Sequence, residues 1–125
     1  MRRGHSKYHA KRVRAEGQQY ASVKEYKRYL QLRDMEQRGV ISELRQQVKY
    51  ELLPKQTEPP RGRKRDGSLI PGRTIERAVS YIADFVYLDA DGVEVVEDCK
   101  GYRTKEYTIK RKLMLWRHGI RIKET

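Results

Sequence analysis

Residues 74–100 contain two apolar strand patterns, 74–88 and 93–100, which are separated by the turn sequence "DADG" at 89–92. An Asp-Gly pair between two alternating apolar runs is typical of a β-hairpin. Strands with an apolar face are stable only when another layer covers that face. The rest of the chain is therefore expected to pack around one long antiparallel pair of strands.

The second strand ends in "VVEDCKG", which carries three charges where a buried strand would be apolar. Side chains alternate across a strand, so Asp98 and Lys100 share one face while Glu97 and Cys99 share the other. The loop length decides which of them lies opposite Asp84. A two-residue loop pairs Asp84 with Cys99, and a four-residue loop pairs it with Glu97. A three-residue loop with glycine in the left-handed position, a standard hairpin, pairs it with Asp98.

In the three-residue register, Asp84, Asp98 and Lys100 converge on one face of the hairpin. Two carboxylates directly opposite each other repel, so folding alone does not favour this arrangement. A divalent cation bound between the two carboxylates makes their proximity favourable. Mg²⁺ (or Mn²⁺) needs only one or two protein carboxylates together with waters and a substrate phosphate. A lysine beside it can orient or help deprotonate an attacking water. The pattern suits phosphodiester hydrolysis, although Asp98 and Lys100 could equally form a salt-bridged strand end.

The remaining elements are predicted from periodicity and from helix caps. A helix runs from Ser22 to a stop at Gly39, and a short strand covers 47–53. A second helix runs from Thr104 to about His118. Its predicted core face contains Ile109, Leu113 and Trp116.

A last strand follows at 120–124. Because it follows a strand and a helix, it is expected to lie parallel to the second hairpin strand. The predicted order is α-β-β-β-α-β, an α/β fold with a mixed sheet and helices packed against it.

The chain has 125 residues and a net charge of +12. That length suits one domain, and that charge favours a polyanionic partner, most simply nucleic acid. An anionic membrane surface or a basic tail unrelated to activity are the competing readings. No run reaches the roughly 18 apolar residues of a membrane span, and a single cysteine excludes an internal disulfide. A cytoplasmic location is expected.

Two basic segments are candidates for contact with phosphates. Residues 1–19 are predicted to form a flexible basic arm in front of a single domain, 20–125. Residues 54–73 hold all four prolines and are predicted to form a long loop, either a solvated linker or a DNA-contacting flap. Its basic cluster consists of Arg61, Arg63, Lys64 and Arg65.

The acids and the lysine also resemble the signature of the PD-(D/E)XK nuclease superfamily, with Asp84 as the first acid and Asp98-Cys99-Lys100 in the (D/E)XK position. The strings "SVKE", "YEL", "YIADFVY", "VVEDCKG" and "TKEYTIK" are similar to those of small phage-borne proteins of this superfamily. The resemblance covers roughly residues 20–125 and implies a restriction-endonuclease-like core. It also implies a further acid, Glu25, although Ser22 and Glu25 satisfy the spacing of a helix capping box.

The motif order is similar, less specifically, to that of phage Holliday-junction endonucleases. This resemblance implies Mg²⁺ or Mn²⁺ held by Glu25, Asp84 and Asp98, helical lysines (Lys110 and Lys112) near the phosphate, and branched DNA cut by a homodimer in the host cytoplasm. Two alternatives remain. The protein could be a duplex nuclease or nickase, or it could be a non-cleaving nucleic-acid-binding module of a phage replication or packaging complex. A bulge would exchange the roles of Glu97 and Asp98.

Overall fold

The structure is a computed structural model that describes residues 12–15, 18–20, 22–100 and 102–125, without the side chains of residues 18 and 19. Its elements follow one another in this order: β1 (Val13–Ala15), β2 (Gln18–Tyr20), α1 (Val23–Gln37), β3 (Ser42–Leu53), β4 (Gln56–Thr57), β5 (Gly62–Arg63), β6 (Leu69–Ile70), β7 (Thr74–Glu76), β8 (Val79–Leu88), β9 (Glu94–Asp98), α2 (Lys105–His118) and β10 (Lys123–Glu124).

Four of the strands form a mixed sheet in the order β10-β9-β8-β3. The pairs β3–β8 and β8–β9 are antiparallel, whereas β10 lies parallel to β9. The predicted mixed sheet, its two helices and the parallel last strand are therefore confirmed. The parallel pair follows from the α2 crossover, which carries the chain back to the end of the sheet from which β9 started.

The turn between β8 and β9 has the predicted three-residue loop. The amide of Asp89 donates to the carbonyl of Val93 (2.9 Å), and the amide of Gly92 donates to the carbonyl of Asp89 (3.0 Å). Gly92 has a φ of 79°, in the left-handed region that glycine adopts without steric cost. Phe85 lies opposite Glu97, and continuing this register by one residue places Asp84 opposite Asp98.

Both helices begin and end close to their predicted caps. The hydroxyl of Ser22 accepts a hydrogen bond from the amide of Glu25, and Thr104 caps α2 in the same way. Gly119 ends α2 in a left-handed conformation, as expected for a helix stop. Gly39, just past α1, also has a positive φ.

The two helices cover opposite faces of the β8–β9 hairpin. Phe85 belongs to the apolar cluster that contains Leu32 of α1, whereas its chain neighbour Val86 belongs to the cluster that contains Met114 of α2. Adjacent strand residues point to opposite faces, so the sheet separates two small cores. Consequently, Asp98 lies on the α2 side of β9 and Glu97 on the α1 side.

The predicted core face of α2 is correct for Leu113, which packs against the cluster that contains Met114, and wrong for Ile109 and Trp116. Trp116 is 77% exposed and Ile109 is 59% exposed, while the buried residues of the helix are Tyr107 and Met114. The helix carries apolar side chains on two opposite arcs. Periodicity alone cannot say which arc meets the sheet.

Residues 54–76 form a nested pair of short ladders, rather than the predicted structureless loop. Strand β4 pairs with β7, and inside this pair β5 pairs with β6. The two sides approach so closely that a Cβ atom on Gly72 would lie 2.2 Å from the carbonyl oxygen of Glu58. We call residues 54–76 the basic hairpin. Residues 77 and 78 separate β7 from β8, so the predicted long strand 74–88 is interrupted there.

The predicted basic arm, 1–19, lies largely outside the described residues. The part that is described includes β1 and β2, an antiparallel pair that lies against α1. Tyr20 is buried, and its ring is 5.2 Å from that of Tyr26 and 5.5 Å from that of Tyr29. Within the predicted arm, the described strand Val13–Ala15 therefore lies against α1, and Tyr20, the first residue of the predicted domain, is buried beside it. None of the described helices has the length and apolar character of a membrane span.

Candidate functional site

The β8–β9 hairpin brings two aspartates together at its open end. Asp98 is the last residue of β9 and is 3% exposed. Asp84 Oδ2 accepts a hydrogen bond from the amide of Cys99 at 2.8 Å, which ties it to the partner strand. The two carboxylates therefore face one another because the loop length sets the register, as the sequence predicted.

Both carboxylate oxygens of Asp98 are engaged. Tyr81 donates a hydrogen bond to Oδ2 (2.5 Å), and the ammonium of Lys100 lies 3.0 Å from Oδ1 in an ion pair. Oδ1 is buried and accepts no hydrogen bond from any residue that the structure describes. Burial and the hydrogen bond to Asp98 raise the pKa of Tyr81, so the phenol remains a donor. Within the described part of the chain, the one partner of this buried oxygen is therefore the ammonium of Lys100.

Lys100 is placed by its backbone as well as by Asp98. Its amide donates to the carbonyl of Thr125 (3.1 Å), and its own carbonyl accepts a hydrogen bond from Lys24 (3.0 Å). Its ammonium lies 4.1 Å from the ring centroid of Tyr107, which is within the range of a cation–π contact. The aromatic face and the carboxylate together orient the lysine.

Glu25 reaches the same region from the first turn of α1. It is 3% exposed, and its Oε1 accepts a hydrogen bond from Gln47 Nε2 at 3.0 Å. Gln47 lies between the pairs Gln46–Phe85 and Val48–Ala83, directly across β3 from Asp84, and has a φ of 53°. A non-glycine residue in the left-handed region costs free energy, and such strain clusters at functional sites.

The predicted residues act on one another electrostatically. Burial and the negative charges of Asp98 and Glu25 together raise the pKa of Asp84 to about 7, against the opposing influence of the Cys99 amide and Lys100. All three predicted acids and the lysine therefore belong to one cluster. We call Glu25, Asp84, Asp98 and Lys100 the acid cluster.

Glu97 does not take part. Arg28 donates two hydrogen bonds to its carboxylate, each 2.8 Å long, and Tyr87 donates a third. Burial opposes ionisation, but the hydrogen bonds from Arg28 and Tyr87 outweigh it and hold the pKa of Glu97 below its ordinary value. Because every strong partner of Glu97 lies on the α1 side, the exchange of roles with Asp98 is not observed.

An open cleft of about 310 Å³ lies between β8 and α2, and it is lined by members of the acid cluster other than Glu25. Asp84, Asp98, Lys100 and Tyr107 line it, and so does Lys110, which pairs with Glu106 at 3.1 Å.

Of the two predicted helical lysines, only Lys110 lies at the site. Lys112 lies on another flank of α2 and lines a separate cleft, since the two lysines are two residues apart on a helix.

The four basic residues of the predicted flap lie on the basic hairpin and are exposed: Arg61, Arg63, Lys64 and Arg65. Arg63 donates a hydrogen bond to the carbonyl of Gly67 at 2.8 Å. None of the four forms an ion pair with another residue in the described ranges. Their positive charge is therefore not neutralised within the described part of the chain.

Sequence reasoning missed the roles of Tyr81 and Tyr107 at the acid cluster. Tyr81 reads as an ordinary strand residue, and nothing in its spacing marks it as the donor to Asp98. Tyr107 reads as partial core, which it is, but its ring also faces Lys100. Both contacts join distant parts of the chain, so local patterns do not contain them.

The donor set fits a hard cation better than a soft one, because its ligating atoms are carboxylate oxygens. Asp98 Oδ1 is buried and accepts no hydrogen bond from a described residue, and burial together with the charge of Asp98 raises the pKa of Asp84 to about 7. Among the described residues, no three His, Cys, Asp or Glu side chains lie close enough to hold a metal between them. The arrangement thus fits an ion held by one or two carboxylates and water, rather than a closed protein cage.

Comparison with known proteins gives one match. The family described as "Protein of unknown function (DUF1064)" matches residues 5–123. No curated protein and no solved structure matches the chain.

Proposed function

The chain belongs to the DUF1064 family of proteins of unknown function, and we propose that it is a metal-dependent endonuclease that hydrolyses phosphodiester bonds in DNA. One observation carries this proposal: Asp84, Asp98 and Lys100 meet at one end of the β8–β9 hairpin, in an open cleft, with Glu25 close enough to affect the ionisation of Asp84. The element order supports a restriction-endonuclease-like core for the same protein.

In this proposal, Asp84 and Asp98 hold Mg²⁺ or Mn²⁺, and Glu25 is a third acid that adds negative charge near Asp84 without being a ligand. The bound ion would polarise the phosphoryl oxygen and lower the pKa of a water. Asp98 is prepared for that role because Tyr81 fixes Oδ2 while Oδ1 points to the cleft residue Lys100. Gln47, which donates to Glu25, would orient the third acid.

Lys100 orients the attacking water and stabilises the negative charge that develops on the phosphoryl group. Its ammonium contacts both Asp98 and the ring of Tyr107, so its orientation in the cleft is set before a substrate binds. Lys110 lines the same cleft and would contact a phosphate of the bound strand. Lys100 and Lys110 would together supply positive charge to the cleft that Asp84 and Asp98 also line.

The basic hairpin would contact phosphates outside the cleft. Such contacts set affinity and register without reading sequence. The net charge of +12 supports a nucleic-acid partner. We further propose that branched DNA, such as a Holliday junction, is the substrate and that two copies act together, because two opposed cuts require two sites.

A second candidate is a nucleic-acid-binding module that does not cleave. One observation favours it, namely that no three metal-ligating side chains converge within the described ranges. Such a module would bind DNA equally well with and without Mg²⁺. The enzyme would require the ion for cleavage.

The test is a cleavage panel of junction, flap, duplex and single-stranded DNA, with Mg²⁺ or with EDTA. We expect the wild type to cut the junction in Mg²⁺, and Asp98→Asn to be slower by about a thousandfold, since a carboxylate that neutralises charge in the transition state is lost. Asp91→Asn, the same change at an exposed turn position, is the matched control. Equal cutting by wild type and Asp98→Asn would refute the site, and a wild type that binds without cutting would establish the second candidate.

A further inference from the structure

One face of α2 remains exposed and is unlike the rest of the surface. Four residues at helical spacing form a line along it: Lys105, Ile109, Lys112 and Trp116. Trp116 is 77% exposed and Ile109 is 59% exposed, and the two lysines are exposed as well. We call these four residues the outer stripe. It lies opposite the face that packs Tyr107 and Met114 against the sheet.

The outer stripe alternates positive and apolar side chains. Neither Lys105 nor Lys112 forms an ion pair with any residue that the structure describes, in contrast with Lys110, whose partner is Glu106. At about 1.5 Å of rise per residue, the stripe extends over about 16 Å. An exposed tryptophan flanked by unpaired lysines along such a line is suited to a partner that carries both planar apolar groups and negative charge.

The surface beside the stripe has the same character. A cleft of about 400 Å³ lies between α2 and β10, and its basic lining residues include Arg111 and Arg121. Its acid, Glu124, is engaged by Arg103 at 2.7 Å and by Arg111 at 3.5 Å. The lining of this cleft, which meets the stripe at Lys112, therefore carries more positive than negative charge, and an anionic partner is favoured over a neutral one.

We propose that the outer stripe binds single-stranded nucleic acid, with a base stacked on Trp116 and phosphates paired with Lys105 and Lys112. Sequence-tolerant binding of single strands combines aromatic platforms with a basic track, which is the composition of this stripe. A second copy of the chain is a poorer occupant, because the stripe carries no acid to pair with the lysines of its counterpart. The proposal depends on the nucleic-acid partner of the proposed function, but not on cleavage.

The test uses the fact that Trp116 is the only tryptophan of the chain, so its emission reports on the stripe alone. The full chain is titrated in EDTA with a 16-nucleotide oligo(dT), and separately with inorganic polyphosphate and with poly-glutamate. We expect oligo(dT) to quench the emission, and the two base-free polyanions to leave it nearly unchanged. Unchanged emission while a labelled oligo(dT) binds, or full quenching by polyphosphate, would overturn the proposal.

Variants separate stacking from charge. By anisotropy of a labelled oligo(dT), Trp116→Ala should weaken binding about tenfold, whereas Trp116→Phe keeps a ring and most of the affinity. Val93→Ala, at an exposed apolar residue of the hairpin turn, is the matched control and should have no effect. Lys105→Ala with Lys112→Ala should reduce the slope of log K against log salt by about 1.4.

Three further outcomes would also refute the stripe. Tryptophan emission that changes with protein concentration in the absence of DNA would show that the outer stripe binds a second copy of the chain. Equal quenching by poly-glutamate would assign it to an acidic polypeptide. Loss of binding in Val93→Ala as large as that in Trp116→Ala would show a general surface effect. Because the titration contains EDTA, the absence of nuclease activity would leave the result unchanged, so the two proposals fail separately.

Discussion

Two neighbouring acids, Glu97 and Asp98, occupy opposite faces of β9 and have opposite surroundings. The carboxylate of Glu97 receives two hydrogen bonds from Arg28 and one from Tyr87, and its pKa is held low. Asp98 faces Asp84, whose pKa is raised to about 7. A buried acid that is fully paired serves the fold, whereas buried acids that crowd each other cost stability. The comparison identifies the Asp98 face as the candidate site without reference to any family.

The largest expected effect comes from removing Arg28, the cation that pairs with Glu97. Arg28→Met leaves the carboxylate of Glu97 buried without its cation, and we expect a loss of about 3 kcal/mol in the free energy of unfolding. Urea denaturation at pH 7 measures it. Arg38→Met is the control, because it removes an exposed ion pair with Asp34 and should change little. If both variants lose the same small amount, the two faces do not differ as described.

The next largest effect is an increase in stability, and it concerns Asp84, which lies opposite Asp98. The pKa of Asp84 is raised in the folded state, so the folded protein binds a proton more tightly, and stability falls as the pH rises from about 4 to about 7. Asp84→Asn removes that ionisation and should be the more stable protein at pH 8 by about 2 kcal/mol, but not at pH 4. Denaturation in EDTA at both pH values measures it. A variant less stable than the wild type at pH 8 would contradict the crowding.

Two tyrosine hydroxyls provide a matched pair of smaller changes. Tyr81→Phe removes the donor to Asp98, and Tyr87→Phe removes the donor to Glu97. Each should cost about 1 kcal/mol of stability, since each leaves a buried acceptor short of one hydrogen bond. Only Tyr81→Phe should also slow DNA cleavage, by about tenfold, because it alone releases a carboxylate of the acid cluster. Equal effects of the two variants on cleavage would remove the distinction.

The smallest expected effect concerns the ring beside Lys100. Tyr107→Phe keeps the aromatic face 4.1 Å from the ammonium, whereas Tyr107→Leu removes it. We expect the first variant to cleave at the wild-type rate and the second to be slower by about threefold, in line with a cation–π contact of about 0.5–1 kcal/mol. Single-turnover cleavage with matched urea melts separates this loss from misfolding. Identical rates for the two variants would show that the ring does not orient Lys100.

Local rules predict the hairpin and thereby the site. Of the three loop lengths that the sequence allows, the structure has the standard three-residue loop with Gly92 in the left-handed region. With that loop, the period of two places Asp84 opposite Asp98 and Lys100 on the same face. The helix caps follow from Ser22 and Thr104 in the same local way. These predictions succeed because each depends on residues only a few positions apart.

Features that depend on contacts between distant residues were not predicted. Trp116 was assigned to the core because the helix has two apolar arcs, and only the position of the sheet selects between them. The ladders of the basic hairpin were read as a loop because their strands have only two or three residues. Lys112 was placed at the site because the sequence does not indicate which flank of α2 borders the cleft.

The pairing of β10 with β9 gives α2 a mechanical connection to the candidate site. The carbonyl of Asp98 accepts a hydrogen bond from the amide of Thr125, whose own carbonyl accepts one from the amide of Lys100. Residues 119–124 connect the end of α2 to Thr125. We therefore expect that a ligand that shifts α2 would also shift the backbone beside Asp98 and Lys100, so that a change on the outer surface of the helix would alter the position of the lysine.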